Sequence, residues 1–282
     1  MSDNIVSLSP VRDQLFLARE QRLMAQLAAH PRLIVSFSGR MESCYAMELC
    51  RAAGVSVRAF TVDSPNRSRR DIVRARRYCE HYGIDQVLLK SDEMIFFDHD
   101  GLATQAPDPI RWLSRFRDAH PGLATIPLLV AASVEDAEAY RAHFGSPPNN
   151  TLWTFADEGM TTRDFRYGFH QRQLAVWGSN ETGCLSLRFS SEEDMDGDRL
   201  RMVDMAEQIL ADMGLPAARV FFHYLSDGET MLGRVRVDER ELAVAFDRRE
   251  EILGALQACG FDLVTLDLHR MGAGLPLEQV QP

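Results

Sequence analysis

Ser38, Gly39, Arg40, Glu42 and Ser43 stand between an apolar run, Leu33-Ile34-Val35-Ser36-Phe37, and a stretch that sets Ser43, Ala46, Met47 and Leu49 at helical spacing. A strand that breaks at Ser-Gly and then opens a helix is built to hold phosphate. The N–H groups of the first helical turn have no intrahelical acceptor, and the helix dipole favours an anion there. Arg40 adds a guanidinium that can grip phosphate oxygens in bidentate fashion. Its Cβ also occupies a place where glycine would let a backbone approach closely. The same residues read without a ligand are a plain β–α turn.

A second set of reactive groups lies further on. Cys184 follows Gly183 and precedes Leu185 and Leu187, so it reads either as a small buried thiol or as a nucleophile. Arg188, four residues on, favours the thiolate in the second case. Cys44 competes for that role from the first turn after the loop, although its position faces the sheet as readily as a ligand. Arg219, Arg234 and Arg236 fall on adjacent predicted strands, where alternation lets two of them share a face and bind a phosphate or carboxylate, with surface charge as the other reading. His223 on an alternating apolar strand reads as a core or rim histidine, and Asp267 as exposed or paired. Arg67, Arg69, Arg70, Arg74, Arg76 and Arg77 make a basic helix, read as a solvated face or an oligomer contact.

Composition narrows the classes. A formal net charge of −10 disfavours nucleic acid as a partner. No apolar run is long enough for a membrane span, and Met1-Ser2-Asp3-Asn4 lacks the pattern of a signal peptide. Five scattered cysteines with no CxxC pair predict reduced thiols, a cytoplasmic setting and no zinc site.

The elements that must position these groups follow from periodicity and punctuation. Helix is expected over about 12–30, 42–53 and 69–82, the last two closed by Gly54 and Gly83. Strands are expected at 33–37, 57–62, 87–89, 127–132 and 151–155, with Pro147-Pro148-Asn149-Asn150 as a loop. Strands alternating with helices indicate an α/β domain with a doubly wound parallel sheet. Beyond residue 184 the order becomes helix (about 197–213), strands 220–224 and 232–237, helix (about 247–259) and strand 263–268. That order predicts a smaller α+β domain with an antiparallel sheet. The boundaries are therefore placed at 1–183 and 184–282.

Five separated pieces taken together resemble one family. They are Ser38-Gly39-Arg40-Met41-Glu42-Ser43, Thr61-Val62-Asp63-Ser64-Pro65, Gly159 to Arg166, Gly183 to Arg188, and Gly260 to Leu268. In order and spacing they resemble the LarE-type sulfur transferases, PP-loop enzymes of the ATP pyrophosphatase family with an adenine-nucleotide alpha-hydrolase-like fold. The family's loop reads Ser-Gly-Gly-x-Asp-Ser, so Arg40 stands for the second Gly and Glu42 for the Asp. The resemblance implies ATP bound at Ser38, Gly39, Arg40 and Ser43, with adenine near Ser64 and Mg²⁺ on Glu42. It implies adenylation of a carboxylate with release of pyrophosphate, then attack by Cys184 and transfer of sulfur. Arg188, Arg219 and Arg234 would orient substrate anions, and the assembly would be a homo-oligomer.

Departures from the family, including the absence of its Arg-Cys-Tyr-x-Cys-Lys stretch over Asp108 to Arg117 and an altered Arg270 to Gly274, imply a divergent member acting on another small-molecule carboxylate. Two alternatives stay open. One is a degenerate homologue serving as a non-catalytic nucleotide-binding or scaffold partner. The other is an ATP-dependent amide-forming ligase in which Cys184 is structural.

Overall fold

The structure, a computed structural model, describes residues 10–92, 94, 108–177 and 183–268. Its elements run α1 (Pro10–Ala28), β1 (Arg32–Ser36), α2 (Met41–Ala52), β2 (Ser56–Asp63), α3 (Arg69–Tyr82), β3 (Asp85–Lys90), α4 (Pro109–Asp118), β4 (Leu128–Leu129), α5 (Val134–Phe144), β5 (Thr151–Leu152), α6 (Thr154–Asp157) and α7 (Thr162–Gln171). Short 3₁₀ turns at Leu174–Val176 and Leu185–Arg188 follow, the second leading into α8 (Gly197–Asp212), β6 (Arg219–Tyr224), β7 (Met231–Arg236), α9 (Leu242–Asp247), α10 (Arg249–Cys259) and β8 (Leu263–Leu266). No helix among the described residues is long and apolar enough to cross a membrane.

The contacts divide the chain into two units, residues 10–62, 74–89 and 108–177 in one, and 63–73, 90–92 and 183–268 in the other. The first is built on a five-stranded parallel sheet of order β3-β2-β1-β4-β5. Successive side chains of a strand point to opposite faces, and β1 uses this fully. Leu33, Val35 and Phe37 enter one core with residues of α1, α2, α3 and α7, whereas Ile34 enters another with Ile110 and Leu113 of α4 and Ala137 and Tyr140 of α5. A strand apolar on both faces needs helices on both, which is the doubly wound arrangement. Three helix starts are closed by side chains: Asp108 accepts from the N–H groups of Ile110 and Arg111, and Ser133/Asp136 and Thr161/Asp164 form reciprocal capping boxes for α5 and α7. The stretch 108–117 is thus a capped helix, and its buried Arg117 donates to the carbonyls of Asn150 (2.6 Å) and Asn149 (3.1 Å), pinning the Pro-Pro-Asn-Asn loop.

The expected strand 151–155 is shorter than its apolar run, because Trp153 leaves the extended region (φ −111°, ψ 34°) and α6 starts at the next residue.

The second unit has a three-stranded sheet, β6-β7-β8, with α8 and α10 against one face. Here the expectation of an antiparallel sheet needs correction: β6 and β7 are antiparallel, but β7 and β8 are parallel. The helices α9 and α10 return the chain to its starting end, so β8 runs the same way as β7. Gly233 on β7 gives room to Phe261, whose ring carbon would lie 3.0 Å from a Cβ at that position.

Candidate phosphate-binding loop and arginine face

In the strand order β3-β2-β1-β4-β5 the winding reverses between β1 and β4, and ligands in such sheets bind outside the carboxyl ends of the strands at that reversal. The loop from Phe37 to Arg40 leaves β1 at that end. Phe37 N–H still donates to Phe60 O of β2 at 2.8 Å, so the loop starts from a fixed point. Gly39 then takes φ +73°, a left-handed conformation that costs a side-chain-bearing residue 1–2 kcal/mol as an order of magnitude, about what chirality exacts. Arg40 is extended (φ −97°, ψ 173°) and its carbonyl begins α2 by accepting from Cys44 N–H at 2.9 Å. Any residue adopts that backbone conformation, so Arg40 in the place of glycine leaves the path of the chain unstrained.

The loop is braced by its own serines. Ser43 Oγ lies 3.2 Å from Ser38 N, 2.9 Å from Ser38 Oγ and 3.0 Å from Arg40 O. Ser38 Oγ in turn accepts from Arg40 N–H at 3.2 Å. Ser43 has one hydroxyl proton, so all these contacts hold together when it donates to Arg40 O and accepts from both Ser38 groups. Ser43 is buried, Ser38 half-buried. The N–H groups of Met41, Glu42 and Ser43 fall in the first turn of α2, where no intrahelical acceptor exists, and Arg40 supplies no side-chain cap. Arg40 Nε is buried with no hydrogen-bond partner among the described residues. A half-buried guanidinium with an unmet donor beside a helix N-terminus is a good receptor for an anion. Glu42 sits half-exposed in the same first turn.

Ser64 directly follows β2, and its carbonyl accepts from Arg67 N–H and from Arg69 Nη2, both at 3.0 Å. Its neighbour Asp63 pairs with Arg69.

In the second unit, Cys184 caps the 3₁₀ turn and is half-buried. Its Sγ lies 3.0 Å from the hydroxyl of Ser186 and 3.7 Å from Asn66 O, a carbonyl that also accepts from Leu185 N–H at 3.0 Å. The sulfur thus has a hydroxyl donor on one side and a carbonyl acceptor on the other. Arg188 turns to Glu207, donating from Nε at 2.7 Å in a buried ion pair. Glu207 also takes Arg70 Nη2 at 3.3 Å and Val220 N–H at 3.2 Å.

The strand ladder then collects the remaining arginines. Arg219 stands opposite Arg236, and Phe221 opposite Arg234, so all four side chains share the face away from α8 and α10. Guanidinium groups of Arg234, Arg236 and Arg188 lie 4.6, 5.0 and 5.7 Å from the centre of the Phe221 ring. Asp267 accepts from Arg234 and from Arg236, the latter at 2.9 Å. Arg219 is buried and donates to Ala218 O at 2.5 Å. His223 accepts at Nε2 from Arg234 Nε (3.2 Å) and lies 3.3 Å at Nδ1 from Ser190 Oγ, so it is a neutral, satisfied imidazole. Burial, then the nearby Arg234 charge, push its pKa down.

Cys44, Cys50 and Cys79 are buried in the core of the first unit. Burial pushes the thiols of Cys50 and Cys79 up to about 12, which makes them packing residues. The Arg270–Gly274 stretch lies outside the described residues. Sequence reasoning missed Glu207 and Asp204 and read Arg70 as part of a solvated face or an oligomer contact, whereas Arg70 pairs with buried Glu207, because these partners are far apart in the chain. It also passed over the Ser133-x-x-Asp136 and Thr161-x-x-Asp164 boxes, whose spacing was a readable signal.

Compared with known proteins, the chain matches no family model and no curated sequence.

Proposed function

We propose that this protein is an ATP-dependent sulfur transferase resembling the LarE type, acting on a small-molecule carboxylate. The observation that carries the reading is the loop after β1. It combines left-handed Gly39, a helix start with unmet N–H groups, and the unmet Nε–H of Arg40, all at the switch point of a parallel sheet. The triphosphate of ATP would lie across Gly39, Arg40 and the first turn of α2, within reach of Ser38 and Ser43.

Among the described residues no cluster of three His, Cys, Asp or Glu side chains could cage a metal by itself. Mg²⁺ is commonly held by one carboxylate with phosphate oxygens and water, and Glu42 in the first turn of α2 fits that part. The ion, when bound, would neutralise phosphate charge.

A substrate carboxylate oxygen attacks the α-phosphorus, and pyrophosphate leaves. The Cys184 thiolate then attacks the acyl carbon of the adenylate, and AMP leaves with the bonding pair. Cleavage of the Cβ–S bond with loss of the Cα proton leaves sulfur on the product and dehydroalanine at position 184. Arg234 and Arg236, although engaged by Asp267, have part-exposed side chains and would meet a substrate anion there.

A non-catalytic nucleotide-binding role is the second reading. It is favoured by the engagement of Arg188 with Glu207 and of the Ser38 and Ser43 hydroxyls with each other.

Calorimetric titration with ATP and Mg²⁺, against AMP, tests the binding step. Wild type is expected to prefer ATP, and Arg40→Gly to lose roughly 10- to 100-fold in affinity, the worth of one charged hydrogen bond at about 1.5–3 kcal/mol. Absence of ATP binding by wild type refutes the enzyme reading, and recovery of binding in Arg40→Gly transfers support to the scaffold reading. If ATP binds, intact mass after turnover with candidate carboxylates should show a protein lighter by the elements of H₂S, and Cys184→Ala should abolish that change. Amide formation unaffected by Cys184→Ala would identify a ligase instead.

A further inference from the structure

We propose that Ser186 is a catalytic residue beside Cys184, its hydroxyl stabilising the negative charge that the sulfur carries during transfer. The inference rests on Cys184 being the nucleophile of the proposed sulfur transfer, and it names the group that serves that sulfur. Spacing gives this part to Arg188, but Arg188 turns to Glu207, 2.7 Å away in a buried ion pair. The sulfur is served from within its own turn. Cys184 stands just before the 3₁₀ turn Leu185–Arg188, and Leu187 N–H donates to Cys184 O at 3.1 Å. This winding brings Ser186 Oγ to 3.0 Å from Cys184 Sγ.

Ser186 is fully buried, whereas Leu187 beside it is 41% exposed, so the turn directs the hydroxyl inward. A buried hydroxyl needs a partner, and among the described residues the partner of this one is the sulfur. A neutral thiol is a weak acceptor and a thiolate a strong one, so the contact is worth most to the anion. In the resting state the thiol donates to Asn66 O at 3.7 Å and accepts from Ser186. Asn66 O also accepts from Leu185 N–H at 3.0 Å, so it stays satisfied when the S–H proton leaves. The half-buried sulfur gives that proton to water and keeps the electron pair, which forms the bond to the acyl carbon. When the Cβ–S bond later breaks, its pair passes to the same sulfur, and negative charge returns to the place the hydroxyl faces. Charged groups on the packed elements are engaged with one another or with backbone. Arg70 meets Glu207 of α8 as Arg188 does, Asp204 of α8 accepts from Arg69 N–H at 2.9 Å, and Arg219 of β6 donates to Ala218 O.

Alkylation of Cys184 by iodoacetamide in the full chain, followed by peptide mass from about pH 6 to 10, tests this without ATP or carboxylate. Ser186→Ala should slow the reaction at neutral pH about 3- to 10-fold, the loss of thiolate being partly offset by the greater reactivity of a more basic sulfur. Its profile should move to higher pH, and its high-pH plateau should not fall, because access to the sulfur is unchanged. In turnover, Ser186→Ala should bind ATP as wild type does and lose sulfur from Cys184 at least about tenfold more slowly. A wild type that loses no sulfur refutes the sulfur-transfer reading, and the alkylation profile still decides whether Ser186 stabilises the sulfur anion. A Ser186→Ala profile that stays in place, or a change confined to the plateau, overturns the proposal.

Discussion

Replacing Ser43 by Ala isolates the bracing of the phosphate-binding loop. The hydroxyl lost is buried and sits 3.2 Å from Ser38 N, 2.9 Å from Ser38 Oγ and 3.0 Å from Arg40 O. These partners are hit unequally. Arg40 O keeps a bond from Cys44 N–H, and Ser38 Oγ can turn to another acceptor. The Ser38 N–H loses this acceptor, and removing one partner of a part-buried hydrogen bond costs about 1–2 kcal/mol. Alanine returns up to about 0.5 kcal/mol in helix propensity. The expected net loss is about 1 kcal/mol in urea denaturation, with an unchanged slope because the surface exposed on unfolding is the same. Ser43→Thr keeps the hydroxyl and should recover part of the loss. The same variant should weaken ATP binding, since the loop then has to be ordered by the ligand. A Ser43→Ala protein as stable as wild type would refute the hydrogen-bond assignment and with it the claim that the loop is held ready.

Glu207→Gln keeps the shape but withdraws the charge that faces Arg188 and Arg70 in a buried site, and should cost about 3–5 kcal/mol in the same assay. A loss below about 1 kcal/mol would mean that water reaches this cluster. Gly168→Ala puts a Cβ 2.6 Å from the ring of Tyr45 and 2.8 Å from Phe16, both buried, and Tyr45 is tied at its hydroxyl to Glu20. The overlap should cost about 1–3 kcal/mol and outweigh the gain of about 1 kcal/mol in helix propensity, lowering the melting temperature. His223 gives a pH signature. Its folded pKa lies below the ordinary 6.5, so between that lowered value and 6.5 the unfolded chain binds more protons than the native one. This contribution is complete above 6.5 and declines as pH falls through the window. His223→Gln should flatten the stability profile there, and an unaltered profile would show that the imidazole titrates normally.

Much of the first unit could be read from residues, and the reasons are local. Leu33, Val35 and Phe37 alternating with Ile34 announce a strand buried on both sides, and Ser38-Gly39 followed by Ser43 announces the turn into a helix. The shortened β5 was hidden because Leu152, Trp153 and Phe155 form an apolar run too short for its period to be told. The parallel setting of β8 was hidden because strand direction follows from the path of α9 and α10, which spacing does not encode. The site was legible as a list of groups but not as a network. Arg188 and Cys184 are four apart in sequence, yet the nearest anion to Arg188 is Glu207 on α8, and the oxygens around Cys184 belong to Ser186 and Asn66. Long-range pairing of this kind leaves no periodic trace.

Asn66, Arg69 and Arg70, which hold Cys184, Asp204 and Glu207, come from the short segment after β2 that belongs to the second unit. A ribosome releases that segment long before it makes α8. The early residues must therefore wait, with their partners unmade, until almost the whole chain has emerged, so the second unit cannot finish folding as a separate late event. A cut at residue 183 would not yield a portable module: the later piece would lack the strap whose Arg69 N–H engages its Asp204 and whose Arg70 pairs with its buried Glu207.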